Sequence, residues 1–138
     1  EFPEADMDKV IKMLIIHDLG ECFTGDIPSF DKTEAHEQME KELLDGWVKS
    51  LPQGYAEEMN ALYEEMDERK TVEAKVYKAI DNLEAVIQHN LSDISTWLPR
   101  EYELNMTYAD EKVAFSDYLT TLRQAIREDT IRKINEAK

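Results

Sequence analysis

Apolar residues recur at helical spacing along most of this chain, and five stretches carry the pattern. In the first, Val10 and Leu14 stand four apart and His17 and Asp18 follow Leu14 by three and four. A first helix is therefore expected over residues 4–22, with the His-Asp pair continuing its buried stripe inward. The acidic residues Glu4, Asp6 and Asp8 suit its positive end, and Pro3 is tolerable near its first turn. Gly25, Pro28 and Ser29 signal a loop over residues 23–31. A second helix over 33–51 should bury Met39, Leu43, Leu44, Trp47, Val48 and Leu51, with Glu37, Glu40, Lys41 and Glu42 as its solvated face.

Pro52 and Gly54 break the pattern before a third helix over 55–70, striped by Met59, Leu62, Tyr63 and Met66. Thr71 is a candidate cap for the fourth helix, over 72–91; without an acid or amide at Ala74 there is no reciprocal capping box. That helix has the strongest stripe: Val72, Val76, Ala79, Ile80, Leu83, Val86 and Ile87. Periodicity fades over 92–109, where Pro99 and Asn105 predict an irregular crossing anchored by Trp97, Leu98, Tyr102 and Tyr108. A last helix over 110–137 repeats Phe115, Leu119, Leu122, Ile126 and Ile134, with Arg127, Arg132, Lys133 and Lys138 gathered toward its negative end. The reading is all-α, a bundle of about five helices in a single domain.

Composition narrows the partners. The formal charge of −15 over 138 residues disfavours nucleic acid or an anionic membrane, since either polyanion is repelled. A phosphate-bearing ligand would then need local attraction from a metal ion or a few cations. No apolar run reaches the roughly twenty residues of a membrane span. The one cysteine, Cys22, permits no internal disulfide and fits a reducing cytoplasm. Cys22 is expected to be a small apolar filler at a helix end rather than a ligand or nucleophile.

Candidate chemistry concentrates in HDLGECFTGDIP, residues 17–28. His17, Asp18 and Glu21 lie within about one helical turn where an apolar run gives way to loop residues, and these side chains hold divalent ions and move protons. A bare His-Asp dipeptide has a plainer reading, a histidine satisfied at a helix end beside a solvated carboxylate. Asp26 after Gly25 has one as well, an ordinary turn. In the fourth helix Asp81 is a poor helix former in mid-helix, open to two readings: pairing with Lys78 or another cation, or ligation of an ion. His36 and His89 read as structural, His89 lying some 12 Å along the axis from Asp81.

The stretch MLIIHDLGECFTGDIP, with KAIDNLEAVIQ further on, resembles the HD-domain metal-dependent phosphohydrolases, most closely the 5′-deoxynucleotidase-like branch. The resemblance implies that His17, Asp18 and Asp81 are metal ligands. It implies that Glu21 and Asp26 are the acidic pair handling the attacking water and the substrate. The ion would be Mn²⁺, Co²⁺, Fe²⁺ or Zn²⁺ and the substrate a small phosphate monoester, a (deoxy)nucleoside 5′-monophosphate, in a cytoplasmic homo-oligomer such as a homodimer. The family's first His and a neighbouring phosphate-binding Arg precede the His-Asp pair, yet residues 1–16 contain neither. The expectation is that they lie before Glu1, in an N-terminally incomplete domain. The alternative is a catalytically inactive HD-scaffold binding or regulatory module.

Overall fold

The computed structural model describes residues 1–28 and 31–137, so Ser29 and Lys138, read above as a loop signal and a helix-end cation, lie outside the described residues. Every regular element among the described residues is helical, and the five of ten residues or more are α1 (Met7–Ile16), α3 (Glu34–Ser50), α4 (Gln53–Glu68), α5 (Val72–Leu91) and α8 (Asp117–Glu136). Shorter pieces join them: α2 (Glu21–Thr24), a 3-10 turn (Ile94–Thr96), α6 (Pro99–Thr107) and α7 (Asp110–Val113). The all-α expectation holds. No helix is long and apolar enough to cross a membrane among the described residues.

The chain divides into two compact units, one of residues 6–74 and one of residues 1–5 with 75–138. In the first, α1 packs on α4, and α3 packs on both α2 and α4. Asp6 caps α1, accepting from the Lys9 amide at 3.1 Å, and Val10 and Met13 are fully buried. Leu62 and Met66 of α4 are buried as their spacing predicts. Thr71 caps α5 as expected, its Oγ1 accepting from the Ala74 amide at 3.2 Å.

In the second unit Ala79, Leu83 and Val86 of α5 form one core with Ala109 and Val113 around α7 and Leu119 and Ile126 of α8. Burial of each of the larger of these side chains is worth about 1.5–3 kcal/mol. Phe2 stacks on Phe115 at 5.6 Å between centroids.

Several expectations need correction. The first helix does not run through residue 22: α1 stops at Ile16, and residues 17–20 form a turn before α2. From Ile16 onward the amides of Leu19, Glu21, Cys22 and Phe23 bond carbonyls three residues back, a tighter winding than the α-helix. At the end of α1 Leu14 O faces the His17 ring, and Ile16 O accepts from the Tyr63 hydroxyl as well as from the Leu19 amide. Cys22 is exposed rather than filling a helix end. On α3 only Val48 is fully buried; Met39 (58%), Leu43 (44%) and Trp47 (36%) are exposed, so three of the expected core positions face outward.

The supposed irregular crossing contains α6. Pro99 starts it, with its preset φ and a missing N–H the first turn does not need, while Glu101 accepts from the Leu98 amide at 2.7 Å. Trp97 anchors the segment as read, its indole donating to His89 O at 3.0 Å, but Leu98 is exposed. The last helix is broken, because Ser116 begins a new one by capping the Leu119 amide at 3.0 Å. Arg127 serves a neighbour rather than its own helix end, donating from Nε to Met106 O at 2.9 Å.

The Tyr63 hydroxyl donates to Ile16 O at 2.8 Å, and burial pushes its pKa up to about 12. An unfolded tyrosine loses its proton near pH 10. Between those values the unfolded chain binds fewer protons than the folded one, so stability is expected to be full below pH 10 and to decline as pH rises toward 12. Chemical denaturation at pH 9 and 11 should show this decline. In Tyr63→Phe it should flatten, at a cost of about 1 kcal/mol at neutral pH for the lost hydrogen bond.

Candidate functional site

The end of α1 delivers His17 into the turn. Its Nδ1 lies 2.7 Å from Leu14 O, and a carbonyl can only accept, so Nδ1 carries the proton. The other ring nitrogen, Nε2, sits 3.0 Å from Asp18 Oδ2. With Nδ1 protonated, a neutral imidazole presents a lone pair from Nε2 toward a carboxylate oxygen, and two such lone pairs at 3.0 Å repel unless something positive joins them. A ring proton would do so, and so would a cation. The 3.0 Å separation is that of an ordinary hydrogen bond from a protonated ring. Imidazole nitrogen and carboxylate oxygen are also donor types that divalent ions take, and the Nδ1–H to backbone carbonyl bond is the kind that orients metal-binding histidines.

The two residues differ in exposure. The His17 side chain is 22% exposed, on the margin of the α1 stripe, whereas Asp18 at 61% reaches into solvent rather than continuing the stripe inward. Three residues on, Glu21 opens α2 and is largely covered. Burial raises its pKa above the ordinary carboxylate range, and the neighbouring negative charges of Asp18 and Asp26 add to the rise. Gly25 permits the loop, with φ at +82°, where a Cβ would be strained. The charges of Asp18 and Asp26 thus both act on Glu21.

One cation opposes them. Lys32 Nζ lies 2.7 Å from Glu40 Oε2 and 3.7 Å from Glu21 Oε1. Burial works against its charge, but Glu40 and Glu21 outweigh it and hold the ammonium above the ordinary lysine range. Glu40, read from the sequence as part of a solvated face, is instead largely covered at 18% side-chain exposure because it pairs with Lys32, which the sequence did not single out; nothing in a Lys eight residues ahead of a Glu marks a pair that straddles a helix start.

Asp81 belongs to the other unit. On α5 its Oδ2 accepts from Lys78 Nζ at 2.7 Å, the pairing that was one of its two sequence readings, and its charge raises the pKa of Tyr108 in addition to the larger effect of burial. Among the described residues no group of three or more His, Cys, Asp and Glu side chains is gathered closely enough to hold a metal ion. His36 is part of a cap, with Nδ1 accepting from the Thr33 amide at 3.3 Å. His89 is structural too, its Nδ1 standing 2.7 Å from Asn105 Oδ1.

A sequence model of the HD domain matches residues 1–123, nearly the whole chain. The chain belongs to the HD-domain family. Among curated relatives of this HD-domain chain, the 5′-deoxynucleotidase HDDC2 of Danio rerio is 37% identical over 87 residues, covering 61% of this chain and 43% of the relative. The protein of the same name from Dictyostelium discoideum is 30% identical over 122 residues, 87% of this chain and 59% of the relative. That from Homo sapiens is 32% identical over 84 residues, 59% and 41%. The HD-domain chain therefore spans about two fifths to three fifths of the length of these relatives. No solved structure matches it significantly.

Proposed function

We propose that this HD-domain protein is a metal-dependent phosphohydrolase that cleaves a small phosphate monoester, a (deoxy)nucleoside 5′-monophosphate, as a homo-oligomer in the cytoplasm. The observation that carries the reading is the His17–Asp18 pair: an oriented imidazole whose Nε2 stands 3.0 Å from a carboxylate oxygen, beside the covered carboxylate of Glu21. The names of the 5′-deoxynucleotidase relatives support the substrate class.

In this reading His17 and Asp18 hold the ion, with Asp81 as the further ligand that the family resemblance implies. A bound divalent cation would supply Lewis acidity toward a phosphate oxygen and a water of lowered pKa. Glu21 would accept a proton from the attacking water, a role supported by its raised pKa, which brings its basicity nearer to neutral pH. Asp26, exposed on the loop, orients that water or the substrate. The surface as a whole repels a phosphate, so binding depends on the local positive charge of the site.

One observation favours a second reading, an HD-scaffold module without hydrolysis: Asp81 is already paired with Lys78. The two readings part on a direct assay. The purified protein, stripped of metal and reloaded in turn with Mn²⁺, Co²⁺, Fe²⁺ or Zn²⁺, is expected to release phosphate from deoxynucleoside 5′-monophosphates, to lose that activity to a chelator and to regain it on metal addition. Absence of phosphate release with every metal and mononucleotide would leave the module reading.

A further inference from the structure

We infer that Lys32, locked by Glu40, is a positioning residue that holds the Glu21 carboxylate at its post in the loop. The inference rests on the hydrolase reading and names a residue which that reading does not require. All three groups belong to the unit of residues 6–74, on three successive pieces of chain. Glu21 opens α2, Lys32 stands one residue before the Thr33 cap of α3, and Glu40 lies two turns into that helix. The amides of Asp31 and Lys32 both donate to Pro28 O, at 2.8 and 3.0 Å, and this fixes the backbone from which Lys32 reaches back.

The Lys32, Glu40 and Glu21 side chains are only 19%, 18% and 23% exposed. Charges so far covered keep a fixed geometry only when paired, and the pairing here is unequal. At 2.7 Å Glu40 is the tight partner; its Oε2 makes no aligned hydrogen bond, so the ammonium is its compensation. Glu21 at 3.7 Å is beyond hydrogen-bond contact and is held by charge, which leaves its oxygens unsequestered by that bond.

The packing shows that the arrangement is built. A Cβ on Gly20, the residue before α2, would come within 2.6 Å of Glu40 Cγ, so the start of α2 lies close against the Glu40 side chain, which any larger residue there would have to displace. Glu21 also faces the negative charges of Asp18 and Asp26. Without the ammonium the most covered acid of this field would be driven outward, away from the water it is to meet.

The test joins kinetics to a spectroscopic readout independent of activity. In ¹H–¹⁵N spectra of the lysine ammonium groups, Lys32 is expected to give an exchange-protected signal that E40Q abolishes and E21Q shifts. In the metal-loaded protein, K32M and E40Q are expected to lower kcat about 10–100-fold with KM within twofold, as for residues that orient active-site groups. K32R, which keeps the charge, should recover most of the loss, and metal content should stay at the wild-type level. A missing Lys32 signal would overturn the geometry. A rise in KM at unchanged kcat would overturn it in favour of a direct phosphate contact. Wild-type activity with K32M unimpaired would overturn this inference and leave the hydrolase reading standing, whereas a wild-type protein inactive with every metal would remove both.

Discussion

His17→Ala is expected to reduce phosphate release on the order of 10³-fold while leaving the helical spectrum intact. The magnitude follows from the role. An ion that polarises a phosphate oxygen and activates water is worth several kcal/mol, and each 1.36 kcal/mol is a factor of ten in rate. The structural loss is small by comparison: one bond from Nδ1 to Leu14 O at a helix end, about 1 kcal/mol. Activity and stability should therefore separate, and bound metal measured by mass spectrometry should fall with activity.

Asp81→Asn is the companion. It keeps the size of the side chain but weakens ligation, and the proposal expects a loss of similar order. If Asp81 serves only as the partner of Lys78, its replacement should instead leave phosphate release within a few fold, because a partly exposed ion pair one helical turn apart contributes at most about 1 kcal/mol. Activity that survives both substitutions would remove the metal assignment.

The second large effect concerns stability. Arg123, 1% exposed, is the largest fully buried side chain among the described residues. Its Nε donates to Tyr108 O at 2.7 Å and its Nη2 to Asn105 O at 2.8 Å, so one guanidinium satisfies two carbonyls from the end of α6. Between them and α7 stands Ala109 at φ +72°, a left-handed conformation that an alanine adopts at a cost of about 1–2 kcal/mol. The surrounding contacts must hold it there.

Asp110 supplies the counter-charge, its Oδ1 3.1 Å from Arg123 Nε, and it also receives Arg127 Nη2 on both oxygens at 2.6 Å. Arg123→Met fills the volume but leaves two buried carbonyls without donors. The expected loss is about 3 kcal/mol, below the full penalty of a broken buried pair because Asp110 keeps Arg127. For a chain of this length that is roughly a 10 °C fall in Tm. Calorimetry should show it, with Arg127→Met costing less because its guanidinium is partly exposed. A Tm within about 2 °C of wild type for Arg123→Met would show that the carbonyls find other donors.

Some of this was written in the chain itself. The stripe from Val72 to Ile87 marks α5, whose bounds Val72–Leu91 agree with the residues expected, because a strong 3.6-residue period and a threonine cap are local signals. Thr33 and Pro52 bracket α3 in the same way. The motif at residues 17–28 carries the resemblance with which the family match agrees.

What the sequence alone determined is thus the helical class, the main helices and the residues that carry candidate chemistry, all of which depend on side chains close along the chain. Tertiary structure decided the rest. Tyr63, 47 positions from Ile16, donates to the carbonyl at which α1 ends. Lys32 finds Glu40 and Glu21 from three separate segments, and Arg123 finds carbonyls 15 and 18 residues away. A hydrogen-bond donor on one helix and its acceptor on another leave no period in the sequence; only the packing of the segments brings them within bonding distance.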